Sequence, residues 1–231
     1  MDRRILAPAL AAVMAAGLAV GDAPAQNVVL DEGTFQIYRG GTQVGTETFT
    51  IRRVGAGDDA HVLANAVVEM EMPTGRRELR PLLRAGADFA LSAYQVEVSG
   101  DQVVTVAVTA TDRRFVARTR SESGEREREY RGGEGTLLLD EGVAHQYYFV
   151  GPAADRGGAV PVIVPRAGVQ TRLEVRDAGT ETLRVGAESV QARHVVLSGG
   201  EQLHEVWFDS RGRVLQVAIP ALDYRAVRTE I

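Results

Sequence analysis

The residues best suited to chemistry lie near the carboxyl end of the chain, in the stretch LHEVWFDS (203–210). It contains His204, Glu205 and Asp209, and a further histidine, His194, lies shortly before it. Imidazole and carboxylate groups are common metal ligands and common acid–base catalysts. The pattern therefore raises two alternatives, a metal or catalytic cluster and a β-hairpin that carries polar residues.

Hairpin geometry separates these side chains. A two-residue turn at Gly199–Gly200 places His194 opposite Glu205, and it places His204 on the other face of the sheet. Two histidines on opposite faces cannot bind one metal ion. The sequence therefore favours a hairpin that buries Trp207, it treats His194 and Glu205 as a polar pair, and it predicts no metal site.

A second group of candidates is aromatic or aliphatic. The stretch HQYYFVG (145–151) concentrates aromatic side chains that could line the mouth of a pocket, and the alternative is that they only pack on a sheet. The candidate ligand-contacting residues all have large apolar side chains: Phe35, Ile37, Tyr147, Tyr148, Phe149 and Trp207.

Composition excludes several chemistries. The chain has no cysteine, so disulfides, thiol catalysis and cysteine–zinc sites are excluded, and the absence of lysine removes Schiff-base chemistry. The sequence carries none of the short nucleophile, zinc-protease or nucleotide-binding motifs, and it implies no cofactor. A net charge of −5 gives no electrostatic basis for nucleic-acid binding. We therefore expect a non-catalytic protein.

The amino-terminal 25 residues have the layout of a secretory signal peptide. Arg3 and Arg4 precede a short apolar run, and the run is followed by Ala23-Pro24-Ala25, which matches a cleavage site. We expect cleavage after Ala25, a mature domain over 26–231, and a periplasmic or secreted location in a bacterium. The mature chain has no apolar run long enough to span a membrane.

The mature chain alternates apolar and polar residues, with glycine-rich turns about every ten residues. This pattern predicts an all-β, mainly antiparallel fold: a large curved sheet, half-barrel or barrel with at most one or two short helices. A β-sandwich is the alternative. The one predicted helix covers 140–151, with Asp140 as its N-cap, and 151–159 is expected to be a loop or a divider between two parts of the sheet.

Two hairpins are predicted in detail. In the first, a turn at Gly40–Gly41 and a bulge at Gly45 would bring Phe49 and Ile51 to the same face as Phe35. In the second, a loop over 121–124 pairs arginines with glutamates across 114–131 as a solvated ladder of opposite charges.

The layout resembles exported bacterial β-rich proteins of unknown function. The signal segment, the opening hairpin GTFQIYRGGTQVGTETFTI and the closing stretch EVWFDSRGRVLQVAIP carry this likeness. More distantly, the chain is similar to the outer-membrane lipoprotein carriers. That resemblance implies a half-barrel of antiparallel strands that holds acyl chains on an apolar concave face.

Three functions follow as hypotheses. The first is a periplasmic protein that binds a lipid-like or other hydrophobic ligand on a concave face lined by residues such as Phe35, Ile37 and Val68, covered by segment 140–151. The second is a structural or interaction protein of the cell envelope, which pairs with a partner protein through strand edges. The third and least favoured is a hydrolase, for which no nucleophile is marked.

Overall fold

The computed structural model describes residues 27–112 and 114–231, which form one large curved sheet of 15 strands. The predicted all-β class is confirmed, and among the described residues there is a single short α-helix, α1 (Val150–Arg156). The β-sandwich alternative is wrong, because all strands belong to one sheet.

The strands follow the alternation of apolar and polar residues that the sequence shows. They are β1 (Asn27–Arg39), β2 (Thr42–Val54), β3 (His61–Met72), β4 (Gly75–Gly86), β5 (Leu91–Gly100), β6 (Val104–Thr111), β7 (Arg114–Ser121), β8 (Gly124–Arg131), β9 (Leu137–Leu138), β10 (Gly158–Val164), β11 (Val169–Val185), β12 (Glu188–Ser198), β13 (His204–Phe208), β14 (Val214–Ile219) and β15 (Tyr224–Arg228).

The sheet is open, and its order is β8-β7-β6-β5-β4-β3-β2-β1-β15-β14-β13-β12-β11-β10-β9. Neighbours are antiparallel except β9 and β10, which are parallel. Near the end of the edge strand β8, the Gln170 side chain accepts the Arg131 N–H at 3.1 Å and donates to the Arg131 carbonyl at 2.6 Å. A side-chain amide thus satisfies backbone groups that a further strand would otherwise pair.

The first hairpin shows how local irregularity aligns the core. The bulge predicted in β2 is present, and Val44 is its extra residue, because Ile37 pairs with Gly45 and Tyr38 pairs with Gln43. Phe49 consequently lies on the buried face with Ile37, as expected. We call this buried face of the sheet the inner face.

The β7–β8 hairpin has the predicted register. Arg118 pairs with Glu127, Arg120 pairs with Glu125, and both pairs form exposed ion pairs. The opposite side of the hairpin buries Phe115 in the core.

Residues 137–149 cross the inner face, and we call them the inner segment. The prediction of a helix over 140–151 is wrong: a 3-10 helix covers His145–Phe149 and α1 follows it. The α-helix therefore occupies part of the expected loop 151–159. Asp140 does not cap a helix, because its carboxylate binds other side chains and the neighbouring Glu141 N–H.

The β11–β12 hairpin adds a small layer on the outer face of the sheet. Its strands bend at a bulge between Asp177 and Gly179. Beyond the bend, Val185 packs with Trp207 and Leu215 in a cluster separate from the main core.

The expected signal peptide, residues 1–25, lies outside the described residues, and the single domain over 26–231 stays a prediction. Among the described residues, no helix has the length and apolar character needed to cross a membrane.

Candidate ligand-binding site

The inner segment is fixed to the sheet by a buried carboxylate. Glu47, in β2, lies on the same inner face as Phe49, and its side chain is fully buried. Its carboxylate accepts the backbone N–H groups of Ala144 at 2.6 Å and His145 at 2.8 Å, and it lies 2.6 Å from Nδ1 of His145. These contacts compensate for the removal of the carboxylate from water.

A second buried group fixes the start of the same segment. Asp140 Oδ2 accepts hydrogen bonds from the Tyr94 hydroxyl and from Nε of Arg166, both at 2.8 Å. The Asp140 N–H donates to Gln146 at 2.6 Å. Burial, followed by the Asp140 charge, raises the pKa of Tyr94 well above its ordinary value, so Tyr94 stays a hydrogen-bond donor.

A cavity of about 250 Å³ lies between the inner segment and the strands that face it. Its apolar wall combines one residue of the inner segment with residues of three strands and of the turn before β15: Leu139, Val164, Val169, Leu173, Ile219 and Leu222. The turns after β1, β10 and β12 surround this end of the sheet. We call this space the end cavity.

A tyrosine–histidine pair lines the end cavity. The Tyr147 hydroxyl lies 2.6 Å from Nδ1 of His204. Burial lowers the pKa of His204 to about 4 and raises that of Tyr147, so both groups are uncharged at neutral pH. Tyr147 is then the donor and Nδ1 of His204 the acceptor.

Two further lining residues have unsatisfied polar atoms. The Tyr224 hydroxyl and Nε of Arg39 are buried, and neither has a hydrogen-bond partner among the described residues. The two residues pair across β1 and β15, and the Arg39 guanidinium lies 5.9 Å from the Tyr224 ring centre. A buried hydroxyl or guanidinium N–H without a partner is destabilising, and such groups are normally satisfied by protein, water or ligand.

At neutral pH the Tyr147–His204 pair offers the end cavity uncharged hydrogen-bonding groups, an arrangement that suits the binding of a small molecule.

Phe35, Ile37 and Val68 were expected to line a concave ligand face, and their role as ligand contacts stays a prediction. All three are fully buried in the main core, and none of them lines the end cavity. The inner segment fills the space above them: Phe35 stacks on Phe49 with ring centres 5.1 Å apart, and Phe49 stacks on His145 at 6.0 Å.

The aromatic run of the inner segment divides between two ends of the sheet. Tyr147 lines the end cavity, as described above. Tyr148 and Phe149 instead lie at the opposite end, where they pack against Phe89 with ring centres 6.1 Å away. The three aromatic residues predicted as one ligand site therefore do not form one site.

The polar pair predicted from the opening motif is present on the outer face. Nε2 of His194 lies 3.4 Å from Glu205, and its ring stacks on Trp207 with centres 4.4 Å apart. The predicted register is wrong, since His194 pairs with Trp207 and Val196 pairs with Glu205. The connection after Ser198 is longer than the predicted two residues, so each residue of β12 pairs two positions further along β13 than predicted. A shift of two residues leaves every side chain on the same face of the sheet.

Sequence reasoning missed most of the end cavity and its supports. Glu47 was detectable, because it alternates with Phe49 and Ile51 on a face that is otherwise apolar. Tyr94, Arg39 and Tyr224 carry no comparable signal, since their contacts depend on long-range placement of the inner segment and of β15. Among the described residues, no group of three or more acidic or histidine side chains is arranged for a metal ion.

No protein-family model matches the chain, and no curated protein matches it. Among solved structures, the chain is similar to the crystal structure of a beta-barrel-like protein of the domain of unknown function DUF1849 from Brucella abortus. The TM-score is 0.53 at 10% sequence identity, over 86% of this chain and 95% of that chain. This likeness concerns the fold alone and agrees with the expected β-rich fold of unknown function. The resemblance to outer-membrane lipoprotein carriers stays a prediction.

Proposed function

We propose that this protein is a non-catalytic binding protein for a small, mostly apolar molecule with a neutral oxygen acceptor, held in the end cavity. The observation that carries the proposal is the pair of unsatisfied polar groups on Arg39 and Tyr224, in residues that line an otherwise largely apolar space. A few polar groups converging on an apolar cavity are typical of small-molecule sites.

The volume of the end cavity limits the size of the ligand. A cavity of about 250 Å³ is slightly smaller than the usual range for drug-sized ligands. Since a water molecule occupies ~30 Å³ in the liquid, the cavity accommodates about eight groups of that size. A chain of about eight carbons therefore fits better than the long acyl chains of a membrane lipid.

The charges around the end cavity favour a neutral ligand. Arg39 is the basic residue of its lining, whereas Asp140, Glu141 and Glu201 are acidic. Asp140 is already bonded to Arg166, but the other two carboxylates leave a negative surplus. An anionic head group would be repelled, and an alcohol, ester or ketone oxygen can accept hydrogen bonds without that repulsion.

The direct test is a pair of titrations on ¹⁵N-labelled mature protein, followed by NMR. We expect 1-octanol to shift the amide signals of Leu173, Tyr147 and Tyr224, and we expect octanoate, with the same chain length and a charged head, to bind much more weakly. The indole N–H of Trp207, on the outer face, is the internal control and should not move. No shift at the cavity with octanol would overturn the proposal.

Replacement of Val169, which lines the cavity mouth and is 45% exposed, tests the location. Val169→Trp should reduce the octanol response, and Val103→Trp is the matched control, because Val103 is exposed elsewhere. Equal loss of binding in both variants would place the ligand outside the end cavity.

The location in the periplasm or outside the cell is part of the proposal and rests on the composition of residues 1–25. Amino-terminal sequencing of the protein recovered from a periplasmic extract should begin at Gln26. An uncleaved chain in the cytoplasmic fraction would contradict this part.

Pairing through strand edges is the weaker alternative. The edge strand β8 alternates Glu and Arg residues, and most of it is exposed. Charged side chains on an edge strand discourage the addition of another strand.

A further inference from the structure

The end of the sheet opposite the end cavity carries a long groove. Two clefts of about 600 Å³ and about 570 Å³ lie side by side there, and they share Phe89 and Pro152 in their linings. The first extends towards β11, β12 and the β13–β14 turn, and the second towards the turn after β6 and residues 132–137. Together they form one groove with Phe89 at its centre, which we call the ridge groove.

Aromatic rings form the ridge between the two clefts. Phe89 packs against Tyr148 and Phe149, and these two rings meet edge to face with centres 5.8 Å apart. Phe89 and Tyr148 are only partly buried, so they present ring surface to the groove. Phe208 adds a buried ring to the floor of the first cleft.

The backbone at the ridge is strained. Phe89 has a φ of 65°, a conformation that bulky residues rarely adopt and that glycine or asparagine adopts more easily. Two backbone hydrogen bonds stabilise the turn: the Gly86 N–H donates to the Ala90 carbonyl at 2.8 Å, and the Phe89 N–H donates to the Gly86 carbonyl at 3.0 Å. A large apolar ring at such a position is unexplained by the turn itself, and strain of this kind is found at ligand sites.

The walls of the ridge groove offer both donors and acceptors. In the first cleft, Arg193 bonds to Asp155 at 2.6 Å, and Thr180 and Gln191 lie beside it. Asp155 remains 68% exposed, so its carboxylate can accept further hydrogen bonds. The lining of the second cleft includes the polar residues Asp88, Asp112, Glu134, Thr136 and Arg156.

We propose that the ridge groove binds a neutral oligosaccharide. One face of a sugar ring is formed by C–H groups and can lie on the rings of Phe89 and Tyr148, while its hydroxyl groups donate to the carboxylates and accept from the arginines. The groove extends on both sides of the ridge, which suits a chain of rings rather than a single one. This site is separate from the end cavity and does not depend on it.

The same charges argue against the other ligand that aromatic grooves commonly take, a proline-rich peptide. Its backbone offers mainly carbonyl acceptors, and carboxylates accept hydrogen bonds only. Asp88 already accepts the Ala90 N–H at 3.0 Å, but the carboxylates of Asp112 and Glu134 in the second cleft would gain no hydrogen-bond donor from such a peptide. Sugar hydroxyl groups both donate and accept hydrogen bonds. A carbohydrate can therefore bind the carboxylates and the arginines of the groove, whereas a proline-rich peptide can bind only the arginines.

The test is an NMR titration of the ¹⁵N-labelled mature protein with tetramers of glucose and of N-acetylglucosamine, and in parallel with a decaproline peptide. We expect a tetramer to shift the signals of Phe89, Tyr148 and Arg193 and to leave those of Leu173 and Tyr224 in place. No shift in the groove with either tetramer overturns the proposal. A shift with decaproline alone also overturns it and identifies a peptide site.

Variants at the ridge test the role of the ring. Phe89→Asn suits the backbone conformation, so it should fold, and it should weaken tetramer binding about tenfold or more. Phe89→Tyr keeps the ring and should bind within about twofold of the parent protein. Val103→Trp, at an exposed position outside the groove, is the control and should bind normally. Unchanged binding in Phe89→Asn would contradict the proposed stacking.

Discussion

Glu47 and His145 are far apart in sequence and meet at 2.6 Å with both side chains fully buried. The Glu47 carboxylate is also the acceptor for two consecutive backbone N–H groups of the inner segment. Glu47 therefore fixes the middle of this segment on the inner face, next to Tyr147 of the end cavity, while Asp140 fixes its start.

Glu47→Gln should destabilise the protein strongly. The neutral amide has one acceptor oxygen where the carboxylate has two, so at least one of the donors around it loses its partner, and its NH₂ group has none. Breaking a buried pair of this kind costs about 3 kcal/mol or more in the free energy of unfolding, which urea denaturation would measure.

An exposed carboxylate provides the control. Glu69 is paired with Arg76 on the surface, and its side chain is 44% exposed. Glu69→Gln should change the free energy of unfolding by less than about 1 kcal/mol. Similar effects of the two substitutions would show that Glu47 does not anchor the inner segment.

The same contact shows why the sequence predicts some features and misses others. The β7–β8 register was predictable, because Arg118 and Glu127 lie close in the chain and their charges and the short turn agree. The anchor at Glu47 was not, since its partner lies 98 residues away and nothing local encodes the pairing. A buried glutamate among apolar neighbours signals a partner without identifying it.

The sequence also did not predict that the inner face is filled, again because the contacts involved join distant parts of the chain. Alternation in β1 and β2 predicts that Phe35 and Ile37 face inward, and they do. What covers them depends on where the inner segment docks, and its buried residues include His145 and Gln146, which no apolar pattern marks. Periodicity therefore identified the curved sheet, and it could not distinguish an open concave face from a filled one.

Removal of a hydroxyl should have opposite effects at two buried tyrosines. Tyr94→Phe removes the donor to Asp140, so the free energy of unfolding should fall by about 1–2 kcal/mol. Tyr224→Phe removes an unsatisfied hydroxyl, so the free energy of unfolding should stay the same or rise by up to about 1 kcal/mol.

Urea denaturation measures both changes in the free energy of unfolding, and octanol binding provides a second measurement for the cavity residue. Tyr224→Phe should weaken octanol binding even though the protein is no less stable. Marked destabilisation by Tyr224→Phe would mean that its hydroxyl already has a partner in the free protein.

Acid should weaken the protein partly through His204. Burial lowers its pKa from 6.5 to about 4 in the folded state, so between these values the unfolded chain binds a proton that the folded protein does not. The stabilising contribution is complete above pH 6.5 and is lost as the pH falls towards 4, by on the order of 3 kcal/mol.

The variant His204→Gln isolates this contribution. Its side-chain oxygen can still accept the Tyr147 hydroxyl, and it does not titrate. Between pH 7 and pH 4.5 the free energy of unfolding should fall less in the variant than in the parent protein. The contribution of the carboxylates is the same in both proteins, so it cancels when the two falls are compared. Parallel losses in the two proteins would show that His204 does not titrate abnormally.

Two glycines should respond very differently to the same substitution. At Gly45, beside the β2 bulge, a methyl group would lie 2.9 Å from Cα of Met70 and still closer to the Glu69 carbonyl. Both are backbone atoms, so strands β2 and β3 would have to separate, and Gly45→Ala should lower the free energy of unfolding by about 2 kcal/mol or more.

At Gly151, in α1, the added methyl group would lie at an ordinary distance, 3.8 Å, from the Phe208 ring. Gly151 precedes Pro152, and a side chain before proline disfavours the helical conformation, which offsets the helix propensity of alanine. Gly151→Ala should therefore change the free energy of unfolding by less than about 0.5 kcal/mol. Thermal and urea unfolding of both variants test the pair. Tolerance of Gly45→Ala would mean that the close approach of β2 and β3 at Gly45 is not required by the fold.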